Sequence, residues 1–242
     1  MGTTRVNEYG QPIGEPLPDW TPPPPPPRVR LVGRYCELRP LEPSTADGLW
    51  EAFSLDPDAR EWTYLPYGPF PDREAFRQWV EEWSTTNDPL LYSIHPEPDA
   101  QPEGLAAYLR IMPASGSIEV GHLRFSRRLA RTRAATEAMY LMMRQAFSLG
   151  YRRYEWKCDV FNQPSRRAAL RLGFTFEGIF RQATVYKGRS RDTAWFSIID
   201  TEWPDRARAF EAWLAADNFD SRGVQQRSLS DFMTHRIGSA RE

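Results

Sequence analysis

The chain of 242 residues is long enough for one large domain with a sizeable core, or for two small ones. Its 31 basic and 32 acidic residues leave a net charge of −1, which argues against wholesale binding to nucleic acid or to a membrane surface. Cys36 and Cys158, and the histidines His95, His122 and His235, lie too far apart for metal-ligand spacing or a disulfide framework, so free thiols and no metal are expected. No apolar stretch is long enough to span a bilayer, and prolines and polar residues stand where a signal peptide has its apolar core. A soluble cytoplasmic protein is expected.

Residues 1–32 read as an arm. Pro12, Pro16, Pro18 and the run Pro22 to Pro27 exclude helix and sheet interior and favour extended polyproline II. Val6, Tyr9, Ile13, Leu17 and Trp20 give this arm apolar anchors, so it is expected to lie across its own domain or a neighbouring subunit, the latter as a homodimer. The core domain begins at Gly33. A strand is expected at Tyr35 to Leu41, then a helix capped by Ser44 with Leu49, Trp50 and Phe53 on its apolar side. An aromatic loop follows, with Trp62, Tyr64, Tyr67 and Phe70. Asp72 caps a second helix whose Phe76, Trp79, Val80 and Trp83 fall at helical spacing. Strands at Leu90 to Ile94 and Gly104 to Met112 join the next one through short turns as an antiparallel meander.

Residues Ile118 to Gly173 organise the rest. An apolar strand, Ile118 to Phe125, leads into a corner holding Arg127, Arg128, Arg131 and Arg133. A helix follows from Ala134-Ala135-Thr136 to Leu149, then a second strand, Tyr154 to Val160, and a short helix after Asn162-Gln163-Pro164-Ser165. Strand, helix, strand and helix in this order make a crossover unit on parallel strands, and the start of its first helix is a natural anion site. Strands at Phe174 to Tyr186 and Thr193 to Ile199 flank the hairpin turn Lys187-Gly188-Arg189-Ser190. A helix is expected over Pro204 to Ala216, and beyond Asn218 a polar tail that packs little, 218–242 in the domain scheme.

Several segments, in their order, resemble the GNAT N-acetyltransferase superfamily, and within it the Rim-type branch of ribosomal-protein and N-terminal-amine acetyltransferases. They are Leu38-Arg39-Pro40-Leu41, Glu119-Val120-Gly121, Ala135-Thr136-Glu137-Ala138, Asn162-Gln163-Pro164-Ser165, Leu172-Gly173-Phe174 with Glu177-Gly178, and Gly188 with Asp192. The resemblance covers residues 33 to 203. It implies an α+β fold with a mixed, mostly antiparallel central sheet flanked by helices, a domain over 33–217, and acetyl transfer from acetyl-CoA to a primary amine of a small molecule or protein. The family's phosphate loop runs Gln/Arg-x-x-Gly-x-Gly/Ala. Here Ala130 stands at its first position, Arg133 at its glycine and Ala135 at its last, and Arg131 replaces a further frequent glycine. An arginine can still hold phosphate oxygens through its guanidinium, aided by the helix dipole.

By the same resemblance Leu123, Arg124 and Phe125 would hold the pantetheine arm. Arg128, Arg131, Thr132, Arg133, Ala134, Ala135 and Thr136 would hold the phosphates, and Asn162 would bond the arm or a water. Glu119 is the expected base; the alternative is a structural carboxylate paired with an arginine of a neighbouring strand. Ser165 lies where it could protonate the thiolate or merely cap the helix, because Ala169 stands where many relatives carry a tyrosine acid. Trp62, Tyr64 and Tyr67 would line the acceptor pocket or simply pack over the sheet. His122 alternates away from Glu119 on a regular strand and reads as structural. Arg166, Arg167 and Arg171 read as a solvated helix face. A non-catalytic CoA-binding or protein-interaction module on the same fold is the alternative function.

Overall fold

The computed structural model describes residues 5–233; residues 1–4 of the arm and 234–242 of the tail, His235 among them, lie outside the described residues. The arm opens with a small hairpin, Arg5–Val6 (β1) against Pro12–Ile13 (β2). The proline run then lies on its own domain. Pro23 and Pro26 are buried. Tyr92 donates its hydroxyl to the carbonyl of Pro27 at 3.3 Å, and Arg28 donates to the carbonyls of Thr86 and Ser84 at 2.8 and 2.5 Å. Prolines have no amide hydrogen, so such a segment docks through its rings and carbonyls.

The chain continues through Leu31–Val32 (β3), Glu37–Pro40 (β4), Ala46–Phe53 (α1), Arg73–Ser84 (α2), Leu90–His95 (β5), Gly104–Met112 (β6) and Ser117–Phe125 (β7). Next come Arg133–Ser148 (α3), Arg153–Asp159 (β8), Gln163–Arg171 (α4), Thr175–Tyr186 (β9), Arg189–Ile199 (β10), Trp203–Leu214 (α5) and Leu229–Met233 (α6). One eight-stranded sheet has the order β3-β4-β5-β6-β7-β8-β10-β9. Every neighbouring pair in it is antiparallel except β7 with β8. A mostly antiparallel sheet flanked by helices is the expected architecture.

The sheet has two differently covered faces. On one, Ile118 and Val120 of β7 and Tyr154 and Trp156 of β8 pack with Ala138, Met142 and Ala146 of α3, and with Ala169 of α4 and Phe210 of α5. On the other, Leu91, Leu105 and Ala107 pack with Leu49 and Phe53 of α1 and Phe76 and Val80 of α2. Phe76 is fully buried, and burial of a phenylalanine contributes on the order of 2 kcal/mol. The α1–α2 layer covers the β4 to β6 part of the sheet, and β8 and β10 show this second face to a cavity.

Local details depart from the sequence reading. Asp72 does cap α2, accepting from the Ala75 amide at 2.8 Å. Ser44 does not cap α1: it lies in a 3-10 turn, Pro43–Thr45, that runs directly into the helix. The last hairpin turns on Lys187-Gly188 alone, both with positive φ, and β10 begins at Arg189. The start of the tail packs after all. Leu229 is buried, Phe219 meets Trp213 edge-on at 5.1 Å, and Asn218 is buried with its side chain bonded to the carbonyls of Trp213 and Arg227. A few well-placed apolar residues suffice to dock a segment whose average composition is polar.

Candidate active site

β7 and β8 are in register from Ser117–Arg153 to Val120–Trp156, and there the pairing stops. Gly121 to Phe125 remain bonded to β6, and Lys157 to Asp159 to β10, so a gap opens between the two central strands. Both edges offer backbone donors and acceptors that an extended ligand could pair with. Leu123, Arg124 and Phe125 lie along this edge.

Bulges shape what the gap faces. Between Ala107–Gly121 and Leu105–Arg124 the pairing advances from 107 to 105 on β6 but from 121 to 124 on β7. The extra β7 residue leaves His122 at φ 53 and turns it to the side Glu119 occupies, which the alternation of a regular strand denied. There His122 stacks parallel on Tyr67 at 5.5 Å and bonds its hydroxyl at 3.2 Å. Burial holds the imidazole neutral, with a pKa lowered to about 4. A second bulge lies in β6 between Leu109 and Met112, with Arg110 at φ 45 and Asp88 accepting the amides of Arg110 and Ile111.

That second bulge swings Arg110 onto Glu119. Its guanidinium donates to both carboxylate oxygens at 2.8 Å, and Lys157 Nζ lies 2.9 Å away on the β8 side. Lys157 also pairs with Glu155 at 2.8 Å and stands 3.7 Å from the centre of the Trp195 ring. The Glu119 side chain is only 4% exposed; its burial raises the carboxyl pKa against the opposing pull of Lys157 and Arg110. The arginine of a neighbouring strand that the structural reading of Glu119 calls for is thus present.

On the other face, Thr132 caps α3, accepting from the Ala135 amide at 3.1 Å. The first-turn amides of Arg133 and Ala134 remain outside the intrahelical ladder, as at any helix start. Arg131 takes φ 65, the left-handed conformation that glycine adopts without strain, and its side chain is exposed. The other arginines of the corner are engaged elsewhere. Arg124 pairs with Asp56 over the rings of Phe53 and Trp62. Arg128 pairs with Glu103 at 2.6 Å. Arg133 lies over Tyr35 and Phe219, 4.5 and 3.5 Å from their ring centres. Thr136 instead receives Arg171, which donates to its hydroxyl at 3.3 Å and lies over Trp213, so Arg171 is not part of a freely solvated face. Next to Thr136, Glu137 is buried and accepts the amides of Arg34, Tyr35 and Cys36 at 2.6–2.9 Å, pinning the β3–β4 turn to α3.

At the mouth of the gap, Asn162 rather than Ser165 caps α4; its Oδ1 accepts from the Ser165 amide at 3.1 Å. Ser165 Oγ accepts the indole N–H of Trp156, the last paired residue of β8, at 3.0 Å. The Cys158 side chain is a further hydrogen-bond partner of Ser165. Ala169 is fully buried and offers no hydroxyl.

Of the aromatic loop, Trp62 is buried among Phe53, Tyr67 and Phe70. Tyr64 donates to the carbonyl of Phe161 at 3.2 Å, just beyond β8. The tip of the β9–β10 hairpin reaches the same loop: Lys187 donates to the carbonyl of Trp62 at 2.7 Å and Arg189 to that of Thr63 at 2.8 Å. A cavity of about 900 Å³ spreads over β8, β9 and β10, lined by Arg110, Lys157, Phe180, Arg181, Arg191 and Trp195 among others. None of these six figured in the sequence reading. For Lys157 a signal existed, since Glu155, Lys157 and Asp159 alternate with apolar residues; for Arg110 there was none.

Residues 36–175 match the family described as an acetyltransferase (GNAT) domain. The crystal structure of a GCN5-related N-acetyltransferase from Brucella melitensis superposes with a TM-score of 0.87 at 46% identity, covering 90% of this chain and 99% of that one. A probable acetyltransferase of the GNAT family from Chromobacterium violaceum gives a TM-score of 0.75 at 41% identity over 80% and 98% of the two chains. In sequence, the uncharacterized N-acetyltransferase p20 of Bacillus licheniformis is 28% identical over 170 residues, which span 69% of this chain and 93% of that protein.

Proposed function

The chain belongs to the GNAT acetyltransferase family, and on that premise we propose that it transfers the acetyl group of acetyl-CoA to a primary amine by direct attack. The observation that carries this reading is the gap between β7 and β8, with a capped helix start on one face of the sheet and a carboxylate between two cations on the other. Acetyl-CoA would supply an acetyl thioester whose carbonyl carbon takes the amine nitrogen while the carbon–sulfur bond breaks and the sulfur leaves as a thiolate.

The residues present suit that ligand. The backbone of Leu123 to Phe125 pairs with an extended amide-bearing arm, and Asn162 keeps its amide donors for it. Thr132, the amides of Arg133 and Ala134 and the Arg131 side chain hold phosphate. Arginines 124, 128 and 133 act by shaping the corner rather than by touching the anion. Glu119 takes the proton released by the amine, and Ser165 donates one to the departing sulfur and recovers it from solvent. Lys157 and Arg110 assist indirectly, because a cationic surrounding lowers an amine's pKa and keeps it neutral for attack. The buried Ala169 favours the second reading, a CoA-binding module without turnover.

Titration with acetyl-CoA, followed by free CoA release over a panel of amines, separates the readings. Glu119→Gln is expected to lower turnover about 100-fold, within the usual range for loss of a general base, with acetyl-CoA affinity unchanged. An unchanged turnover, or a loss confined to acetyl-CoA affinity, would return Glu119 to a structural role.

A further inference from the structure

The cavity beside Lys157 is built for negative charge. Four of its lining residues are cationic, Arg110, Lys157, Arg181 and Arg191, and no aspartate or glutamate lines it among the described residues. Arg110 is committed to Glu119, and Lys157 to Glu119 and Glu155. Arg181 and Arg191 have no carboxylate partner among the described residues, and the buried Nε of Arg191 and Nε1 of Trp195 both lack an acceptor. Both atoms are closed off from water and so do not face the cavity; a ligand anion there would be met by the guanidinium ends of Arg181 and Arg191.

The hairpin is irregular at this place. Between Thr193–Phe180 and Arg191–Thr184 the pairing advances from 193 to 191 on β10 but from 180 to 184 on β9. The surplus residues of β9 bow out, with Gln182 at φ 50 and its amide held at 2.7 Å by Asp192 Oδ1. This bulge carries Arg181, an exposed residue, to the wall of the cavity that Lys157 also lines. Beside it Phe180 and Trp195 stack at 4.4 Å as a flat apolar floor. A bulge pinned by a side chain is a fixed feature of the strand, and it places a guanidinium here.

We propose that the acceptor is a small primary amine bearing a carboxylate or phosphate, whose anionic group is held by Arg181 and Arg191 while its amine points past Lys157 toward the β7–β8 gap. This rests on the acetyltransferase reading above and specifies the acceptor for it. The cavity is of the size that encloses small ligands. Arginine pairs bidentately with either anion, and Lys157, already paired with two carboxylates, is left to disfavour the ammonium form of the incoming amine.

Matched pairs test it: β-alanine against β-alaninamide, and O-phosphoethanolamine against ethanolamine, by calorimetric binding and by CoA release from acetyl-CoA. The anionic member of at least one pair is expected to bind and react at least about tenfold better, as charge-assisted contacts imply. In the double variant Arg181→Gln/Arg191→Gln that preference is expected to fall to about onefold, with acetyl-CoA affinity intact as the sign that the fold is preserved. Which pair shows the effect identifies the anion. CoA release without preference for either anion, or a preference that survives in the double variant, overturns this proposal and leaves the acetyltransferase reading standing. Absence of CoA release from every amine, with binding of neither anion, overturns both.

Discussion

His122 offers a quantitative check on the bulge in β7. The bulge buries an imidazole against Tyr67 and Trp83, with Arg110 adding positive charge nearby, and its pKa falls from 6.5 to about 4. Between those values the unfolded chain takes up a proton that the folded chain refuses. Stability therefore declines as the pH falls through this window and is unaffected above it. At about pH 5 the difference in proton binding amounts to a loss of about 2 kcal/mol relative to neutral pH. In a chain of this size that lowers Tm by about 4–8 °C. His95, whose pKa burial also lowers, adds a slope of the same sign, so the wild type alone does not isolate the effect. The decisive comparison is denaturant unfolding of wild type and His122→Gln at about pH 7.5 and about pH 5. The variant lacks the titrating group, so its stability deficit relative to wild type is expected to narrow by about 2 kcal/mol at the lower pH. A deficit that is the same at both pH values would refute the buried, neutral histidine.

Two further variants probe the anion corner and the gap. Arg131→Gly is expected to raise stability by about 1 kcal/mol in denaturant melts, since glycine takes the left-handed φ without strain, while weakening acetyl-CoA in calorimetry through loss of the charge. Asn162→Ala removes the α4 cap and is expected to cost about 1 kcal/mol in the same melts, together with acetyl-CoA affinity. A cost in stability without one in affinity would confine Asn162 to capping.

Much of the fold is legible because long strands and helices announce themselves by period. The α2 stripe, Phe76, Trp79, Val80 and Trp83, and the cap at Asp72 needed no tertiary information. The parallel β7–β8 pair followed from a helix standing between two strands. The candidate site was harder for a physical reason. Its polar face is assembled by bulges at Arg110, His122 and Gln182, and none of these left-handed positions is a glycine that would have marked it. Alternation puts Arg110 and His122 on the wrong side of the sheet, and one extra residue reverses each assignment. The arginine corner misled for a different reason: composition shows charges but not their partners, and Asp56 and Glu103 lie far from it in sequence.

The parting of β7 and β8 also has a consequence for traffic. The sheet acts as a partition wall: the α3 start that suits phosphate stands on one side, the basic cavity on the other, and the gap is the doorway between them. Two reactants that approach from opposite sides do not queue for a common entrance. On the proposed reading either could be seated first, and each would leave without passing the other. Such a layout suits a reaction in which both are present at once, with no need to park the acetyl group on the protein between two visits to a single mouth.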